Sequence, residues 1–425
     1  MCVNTCSLQI RSFIGAIVGM VFCFTARAAV VTSNWISTGG GDWATAANWS
    51  TSPNYPNNGT PLGSEYQAAV NNPGAAAYTV TLQNSVAVDG LSLASANATV
   101  QQSAGTLSLQ GTMDLQAGTY QLVLGQIQGG RIQSEGGAFV VTNLYGSGGI
   151  LNNVTLAAPI SLTYSNPLNL QNTLTLDGGS ITMTSLTGGG SYYGSVLNAY
   201  SGAITVNGTG NIIFNGGDYN TISPSGFSSS AITIGPNVTI STGTGGGTLG
   251  GNSAPFINQG TINVTTSSLA LAGKWTNPGT INLAGGSLSL GGTFATSDIG
   301  HLVRTGGGLL LTGTLSNTAQ VLDLSSIGSV ALAGTINGGT ITAGGSASSL
   351  SLSSSSTLNG VTLDADLSLP AQASYALLTV ANGITLLNGH MIRLKMGGNM
   401  DLTSVTGSGQ VVVDGVPNSS GYQRV

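Results

Sequence analysis

The stretch Phe256-Ile-Asn-Gln-Gly-Thr-Ile-Asn263 returns nineteen residues later as Trp275-Thr-Asn-Pro-Gly-Thr-Ile-Asn282. Over the full nineteen-residue period, nine positions are identical between the two copies. A period near twenty residues indicates a structural unit that stacks on its neighbour to form a solenoid. Stacking predicts that like residues lie over like, so that Ile262 of one coil lies beside Ile281 of the next.

Short runs of alternating apolar and polar residues extend through much of the chain, as in Tyr78-Thr-Val-Thr-Leu82 and Ser287-Leu-Ser-Leu290. A period of two, bounded by Gly, Asn or Ser, is typical of β-strands joined by tight corners. In stacked coils, the aligned Asn258 and Asn277 are predicted to form a corner amide ladder.

The composition supports the same architecture. The 425 residues include 66 glycines, while 5% are charged and 6% are aromatic. Few charged residues argue against helical surfaces, and few aromatics argue against an array of β-sandwich domains. We therefore predict an all-β chain that folds as a right-handed parallel β-helix (β-solenoid), with rungs of about 19–22 residues and about 16 to 18 coils.

The N-terminus has the three parts of a secretory signal peptide. An arginine precedes the apolar run 13–25, and Ala26-Arg-Ala-Ala29 provides a small-x-small cleavage site. The run is shorter than the roughly 20 apolar residues that a membrane-spanning helix needs. We predict that residues 1–28 are a signal peptide cleaved between Ala28 and Ala29. The mature chain is expected to be secreted or held at the cell surface, without a transmembrane segment.

Cleavage would remove all three cysteines, Cys2, Cys6 and Cys23, so no disulfide or thiolate metal site is expected. It would also leave six scattered basic residues against thirteen acidic ones. Nucleic acids and anionic lipids are bound by clustered Lys and Arg. Neither is therefore an expected partner.

Behind the signal peptide we predict two regions, a tryptophan-bearing cap segment at 29–75 and a β-solenoid at 76–425. Leu151-Asn-Asn-Val-Thr-Leu156 recurs as Leu358-Asn-Gly-Val-Thr-Leu363. This longer-range repeat predicts a second superrepeat that starts near residue 358 and ends incomplete.

Three of the four tryptophans, Trp35, Trp43 and Trp49, fall within fifteen residues of the cap segment. Large side chains can close the open core and the unpaired strand edges of a first coil. Indole rings can also stack on sugar rings. The cap is the favoured interpretation, and the alternative makes these three residues a candidate carbohydrate contact.

The pattern of Trp35, Gly41-Asp-Trp43 and Asn48-Trp-Ser50, followed by the strand Tyr78–Leu82, resembles the start of many exported bacterial β-helix repeat proteins. The run Leu311-Thr-Gly-Thr-Leu-Ser-Asn317 is similar to their repeat units. These proteins include autotransporter-passenger-like and sorting-signal-bearing surface proteins. The resemblance implies a structural or adhesive role at the cell surface or outside the cell.

Enzymatic parallel β-helices need two or three carboxylates that converge on one face. The nearest candidates are Asp364 with Asp366, which alternate along one strand face, and Asp298 with His301. A carboxylate pair alone is typical of a solvated face, and His301 and His390 lie near no nucleophile motif. We therefore predict no catalytic residue, no cofactor and no metal site.

The sequence favours a non-enzymatic, exported structural or adhesive β-solenoid. Candidate partners are a surface glycan and a second copy joined through the solenoid ends. A carbohydrate-binding or polysaccharide-degrading parallel β-helix is the first alternative. An ice-binding solenoid is the second, and it requires a flat Thr-x-Thr array in register, of which Thr79 with Thr81 and Thr173 with Thr175 are fragments.

Overall fold

The computed structural model describes residues 29–142, 148–164, 166–187, 194–224, 231–369, 377–395 and 399–413. The chain is nearly all β, with 61% strand and 3% helix, and forms a parallel β-solenoid of about 15 turns. The predicted all-β solenoid architecture is confirmed, with slightly fewer coils than expected. The predicted signal peptide lies outside the described residues, and within them no helix is long and apolar enough to cross a membrane.

The elements follow one another as short strands, listed here in chain order. The first part contains β1 (Val30–Asn34), β2 (Gly41–Asp42), β3 (Glu65–Val70), β4 (Tyr78–Leu82), β5 (Val86–Val88), β6 (Gly90–Leu93), β7 (Ala98–Gln102), β8 (Thr106–Leu109), β9 (Thr112–Leu115), β10 (Thr119–Leu122), β11 (Gln126–Gln128), β12 (Arg131–Ser134), β13 (Ala138–Val141), β14 (Ile150–Leu156) and β15 (Pro159–Thr163). The middle contains β16 (Leu168–Ser185), β17 (Val196–Gly216), β18 (Asn220–Pro224), β19 (Ile232–Ile234), β20 (Val238–Thr242), β21 (Gly247–Asn258), β22 (Thr261–Val264), β23 (Ser268–Thr276), β24 (Thr280–Leu283), β25 (Ser287–Leu290), β26 (Thr293–Ala295), β27 (His301–Arg304) and β28 (Gly308–Leu311). The last part contains β29 (Thr314–Ser316), β30 (Val321–Asp323), α1 (Leu324–Ile327), β31 (Val330–Leu332), β32 (Thr335–Asn337), β33 (Thr340–Thr342), β34 (Leu350–Leu352), β35 (Ser356–Asp364), β36 (Leu367–Leu369), β37 (Leu377–Leu386), β38 (Met391–Leu394), β39 (Asn399–Leu402), β40 (Val405–Gly407) and β41 (Gln410–Val413). Single turns of 3-10 helix lie at Ala46–Asn48 and Thr296–Ile299.

Successive coils build three parallel sheets. Sheet 1 begins with β1, β3 and β6, sheet 2 with β2, β4 and β7, and sheet 3 with β5, β8 and β11. Longer strands such as β16 and β17 bend at the corners and pass through all three sheets. Each coil therefore hydrogen-bonds to the coils before and after it, at the spacing of about 4.8 Å between paired strands.

The repeat that decides the fold has the predicted register. Ile262 in β22 lies opposite Ile281 in β24, which lies opposite Leu302 in β27. All three side chains are buried. Sheet 3 carries a similar inward column from five successive coils: Leu271, Leu290, Leu311, Leu332 and Leu352. Each buried leucine contributes about 1.5–3 kcal/mol relative to an exposed one, so these columns are a main source of stability.

Coil length varies along the solenoid. The Asn258 amide contacts Asn277, 19 residues later, whereas the Ser185 hydroxyl contacts Gly217, 32 residues later. The coils near Ser185 thus exceed the predicted 19–22 residues. Their sheets stay paired nonetheless, since Ile212 lies opposite Ile181 in the coil before it.

The two copies of the longer sequence echo lie at different corners. Leu151 pairs within sheet 3 and Val154 within sheet 1. Leu358, by contrast, pairs within sheet 1, and Val361 within sheet 2. The copies do not occupy equivalent positions in the coil, and the superrepeat boundary near residue 358 stays a prediction from the sequence.

Sheet 2 is less regular around β27 and β30. The short helix α1 follows β30 at a corner of the coil. The guanidinium of Arg304, at the end of β27, donates to the carbonyl oxygens of Ser329 at 2.6 Å and Gly307 at 2.7 Å. The Asp323 carboxylate caps α1 by accepting from the Ser325 amide at 2.9 Å. These side-chain bonds hold the corner of the coil in place.

Candidate functional site

The three tryptophans of the cap segment form one buried cluster. The exposed fractions of Trp35, Trp43 and Trp49 are 1%, 1% and 0%. The Trp49 ring lies between the other two, with its centroid 5.1 Å from that of Trp35 and 4.8 Å from that of Trp43. Both contacts are edge-to-face, the arrangement that the ring quadrupoles favour.

A short antiparallel segment pairs with the end of β1 on the side opposite β3. Trp35 and Trp49 form an antiparallel bridge, and the Ser50 amide donates to the Asn34 carbonyl oxygen at 2.8 Å. The end of β1 is thus hydrogen-bonded on both sides, although it is the first described strand. An open strand edge is a template for pairing with another chain, and residues 48–50 occupy that edge at the end of β1.

The indole N–H groups of the cluster are satisfied internally. The Trp43 Nε1–H donates to the Pro56 carbonyl oxygen at 3.1 Å, and the Trp49 Nε1–H donates to the Trp43 carbonyl oxygen at 2.7 Å. A ring that stacks on a sugar needs a face open to solvent. A carbohydrate contact at Trp35, Trp43 and Trp49 would therefore require the segment to open, whereas a cap needs only the observed burial.

The buried asparagines of the repeat are joined from coil to coil. Asn258 Nδ2–H donates to Asn277 Oδ1 at 2.6 Å, and Asn277 Nδ2–H donates to the Ile299 carbonyl oxygen at 2.9 Å. In the following coil, the Thr296 hydroxyl donates to Asn317 Oδ1 at 2.5 Å. The predicted amide contact between Asn258 and Asn277 is present, and its burial makes it part of the core.

The outer face of sheet 1 carries threonines on five successive coils: Thr293, Thr314, Thr335, Thr357 and Thr379. The neighbouring outward column is mixed and consists of Ala295, Ser316, Asn337, Asn359 and Ala381. The proposed Thr-x-Thr fragments are also interrupted, because Thr81 lies opposite Gln101 and Thr175 lies opposite Asn207. Single threonine columns thus continue from coil to coil, but two adjacent threonine columns do not.

Three candidate residues meet at a corner between sheets 2 and 3. His390 Nδ1 lies 3.0 Å from Asp366 Oδ1, and His390 Nε2 lies 3.6 Å from Asp364 Oδ1. Asn388 Nδ2–H donates to Asp364 Oδ1 at 2.7 Å, and the Thr342 hydroxyl donates to Asp364 Oδ2 at 3.2 Å. The carboxylates thereby tie their own coil to the coils before and after it.

The environment of Asp366 favours its charged form. Burial acts to raise the pKa of Asp366, but the Met391 amide, His390 and Arg393 outweigh it and lower that pKa below its usual value. The Met391 amide donates to Asp366 Oδ1 at 3.0 Å. An imidazole oriented by a carboxylate can hold or pass a proton, so this is the most chemically capable group of side chains in the described coils.

The sequence placed Asp364 and Asp366 on one face but did not join them to His390. His390 and Asp366 are 24 residues apart in the chain, which is one coil of the solenoid. Counting one coil length forward from each polar residue in the sequence would have predicted the contact between Asp366 and His390.

Asp298 and His301, the other predicted pair, each contact different residues. Asp298 Oδ2 accepts from the Ala295 amide at 2.7 Å, while His301 Nδ1 lies 3.3 Å from the Thr280 hydroxyl. Asp298 thus holds a helical turn, and His301 extends the outward column of sheet 2.

Within the described ranges, no group of three or more His, Cys, Asp or Glu side chains is arranged to hold a metal ion. Comparison of the chain with protein-family models, with curated proteins and with solved structures finds no match.

Proposed function

We propose that the chain is an exported, non-enzymatic structural or adhesive protein of the cell surface or the extracellular space. The observation that carries the proposal is the register of the outer surface, where successive coils repeat short hydroxyl and amide side chains, as in the threonine column of sheet 1. Such a surface offers repeated hydrogen-bonding groups and few ionisable groups for chemistry. The resemblance of the tryptophan segment to exported bacterial β-helix proteins supports the same role.

The interior suits a load-bearing rod. Apolar columns and the Asn258–Asn277 contact join neighbouring coils, and each coil depends mainly on its nearest neighbours. At the N-terminal end, residues 48–50 pair with the chain at the end of β1, from Asn34 to Ile36. The buried tryptophans would act as a cap at this end, and self-association through the solenoid ends remains part of the proposal.

Export is tested by expressing the full chain in a bacterium and determining the N-terminus of the protein in envelope and extracellular fractions. The expected first residue is Ala29. Ala28→Asp places a charge at the cleavage site and should leave residues 1–28 attached, whereas Thr38→Asp, at an exposed position, should be processed normally. Recovery of the native chain unprocessed in the cytoplasm would contradict the proposal.

The absence of catalysis is tested at the Asp364, Asp366 and His390 cluster. Purified full chain is incubated with neutral and acidic polysaccharides, and newly formed reducing or unsaturated ends are measured. The expected result is no release above that of a His390→Gln variant. Release that is present in the native chain and lost in His390→Gln and Asp366→Asn would show an enzyme instead.

A further inference from the structure

Sheet 2 is interrupted between two successive coils. Its strands pair in succession from β2 to β27 and again from β30 to β40. Among the described strands, β27 and β30 form no ladder with each other. The same two coils stay paired in sheet 1 through β26 and β29, and in sheet 3 through β28 and β31. The break therefore affects one of the three sides of the solenoid.

Side chains bridge the two ends of the break. At the corner before β27, the Ser297 amide donates to Gln320 Oε1 at 3.0 Å. At the corner after β27, Arg304 Nη1 donates to the carbonyl oxygens of Ser329 at 2.6 Å and Ile327 at 3.4 Å. Gln320 and Arg304 thus join the two coils where the backbone ladder is missing between them.

Helix α1 lies at one end of the break. Asp323, the last residue of β30, pairs with Thr342 on the side away from β27, and its carboxylate caps the helix at the Ser325 amide. The helix therefore begins where a strand would otherwise continue. A helical turn directs its N–H and C=O groups along its own axis, so α1 does not offer β27 a strand edge.

Solvent reaches the edge of the core beside the break. Leu302 in β27 and Ile327 in α1 are 7% and 8% exposed, whereas Ile281, opposite Leu302 in the preceding coil, is 1% exposed. On the outer face, Val303 and Val321 are exposed, one on each of the two unpaired strands. Local opening costs less free energy where fewer apolar contacts and backbone hydrogen bonds must be broken.

We propose that this break is a conformational joint, at which sheet 2 opens locally while sheets 1 and 3 stay paired, and that Arg304 is the latch that holds it closed. Opening on one side only would rotate the two parts of the solenoid about the continuous sheets, as a hinge does. Under a load along its axis, the solenoid would bend at this joint. The inference goes beyond the proposed surface role and does not depend on export.

Amide hydrogen exchange of the purified full chain, resolved by residue, tests the joint. Three amides bond between the same two coils: Ser297 across the break, Thr314 at the start of β29 at 2.7 Å, and Ala333 after β31 at 2.8 Å. The Ser297 amide should exchange at least about tenfold faster than the other two, after correction for intrinsic rates.

Arg304→Met tests the latch, because it removes the guanidinium and keeps an apolar stem. The variant should speed exchange of the Ser297 amide by a further factor of about ten, although Ser297 lies at the opposite end of the break. The Thr314 and Ala333 amides should stay within about twofold of the native chain. Lys274→Met removes an exposed cation from sheet 1 and is the matched control, with no change expected at any of the three amides.

Three results would overturn the proposal. Native protection of Ser297 equal to that of Thr314 and Ala333 would show that no joint opens. Unchanged exchange of Ser297 in Arg304→Met would show that Arg304 is not the latch, and equal acceleration of all three amides would show general destabilisation instead. If Arg304→Met does not fold, Arg304→Lys is judged by the same three amides. None of these results bears on the N-terminus of the exported chain, which tests the proposed function separately.

Discussion

The two ends of the described solenoid are built in different ways. At the N-terminal end, Trp35, Trp43 and Trp49 are buried, and residues 48–50 pair with β1. Valines are exposed at both ends, Val30 and Val31 at 45% and 44% and Val405 and Val413 at 37% and 46%. Residues 399–413, however, contain no aromatic residue that could form a similar buried cluster. The difference shows that regular coils satisfy one another, whereas a terminal coil needs residues outside the repeat pattern to cover its edge and core.

The largest effect is expected at the N-terminal end. Trp49→Ala removes the ring that contacts both Trp35 and Trp43 and leaves a cavity in the cap. The free energy of unfolding should fall by about 3–5 kcal/mol, measured by urea denaturation, with faster amide hydrogen exchange in β1 and β3. The nearby exposed Ile36→Ala is the control, and its effect should lie within about 0.5 kcal/mol. Equal effects of the two substitutions would contradict the cap.

A smaller effect is expected from the amide column between the two ends. Asn277→Leu removes the buried acceptor of Asn258 and the donor to the Ile299 carbonyl oxygen. Buried polar groups left without partners should cost about 1–3 kcal/mol. Asn282→Leu is the matched control, because it removes a contact with Asn263 between the same coils on the outer face. If the control were as destabilising as Asn277→Leu, burial would not be the source of the effect.

Acid should loosen the region near the C-terminal end more than the cap. The lowered pKa of Asp366 means that the folded state favours its ionised form. Its contribution is present above the unfolded pKa, near 4, and is lost as the pH falls through the lower folded pKa. The effect should be below about 1 kcal/mol, since the pair is partly exposed.

Hydrogen exchange of the Met391 amide between about pH 5 and pH 2, corrected for intrinsic rates, measures this effect. Protection should fall with acid in the native chain and change less in Asp366→Asn. The same acid dependence in both proteins would show that Asp366 is not responsible.

The smallest effect is expected at the exposed valines of the last described coil. Val413→Thr should change the free energy of unfolding by no more than about 0.5 kcal/mol, because nearly half of the side chain is exposed. Chemical denaturation of this variant beside Trp49→Ala compares the ends directly. A loss at Val413 as large as that at Trp49 would remove the distinction between them.

The sequence predicted the solenoid because Ile262 and Ile281 recur at a fixed step and alternate with polar residues. It could not predict contacts that cross coils of unequal length. Asp366 meets His390 of the next coil 24 residues later, and Ser185 meets Gly217 of the next coil 32 residues later. Register across such coils is set by strand pairing in three dimensions, and spacing along the chain does not reveal it.

The tryptophan segment shows a similar limit. Its residue types indicated either a cap or a carbohydrate contact, since indole rings serve both purposes. In the structure the three rings are buried, and Trp35 forms an antiparallel bridge with Trp49. Nothing in the local sequence indicates that the chain folds back there.

Cysteine cross-linking tests the central claim of parallel, in-register coils most directly. All native cysteines lie within residues 1–28. After processing, the chain would therefore contain only the introduced cysteine pair. Thr261 lies directly opposite Thr280, and Asn282 is two residues further along the same strand. Neighbouring strands, about 4.8 Å apart, fall within the usual disulfide range of about 4.4–6.8 Å between Cα atoms. Thr261→Cys with Thr280→Cys should therefore cross-link readily under mild oxidation, and Thr261→Cys with Asn282→Cys should not. Cross-linking of the second pair in preference to the first would contradict the account.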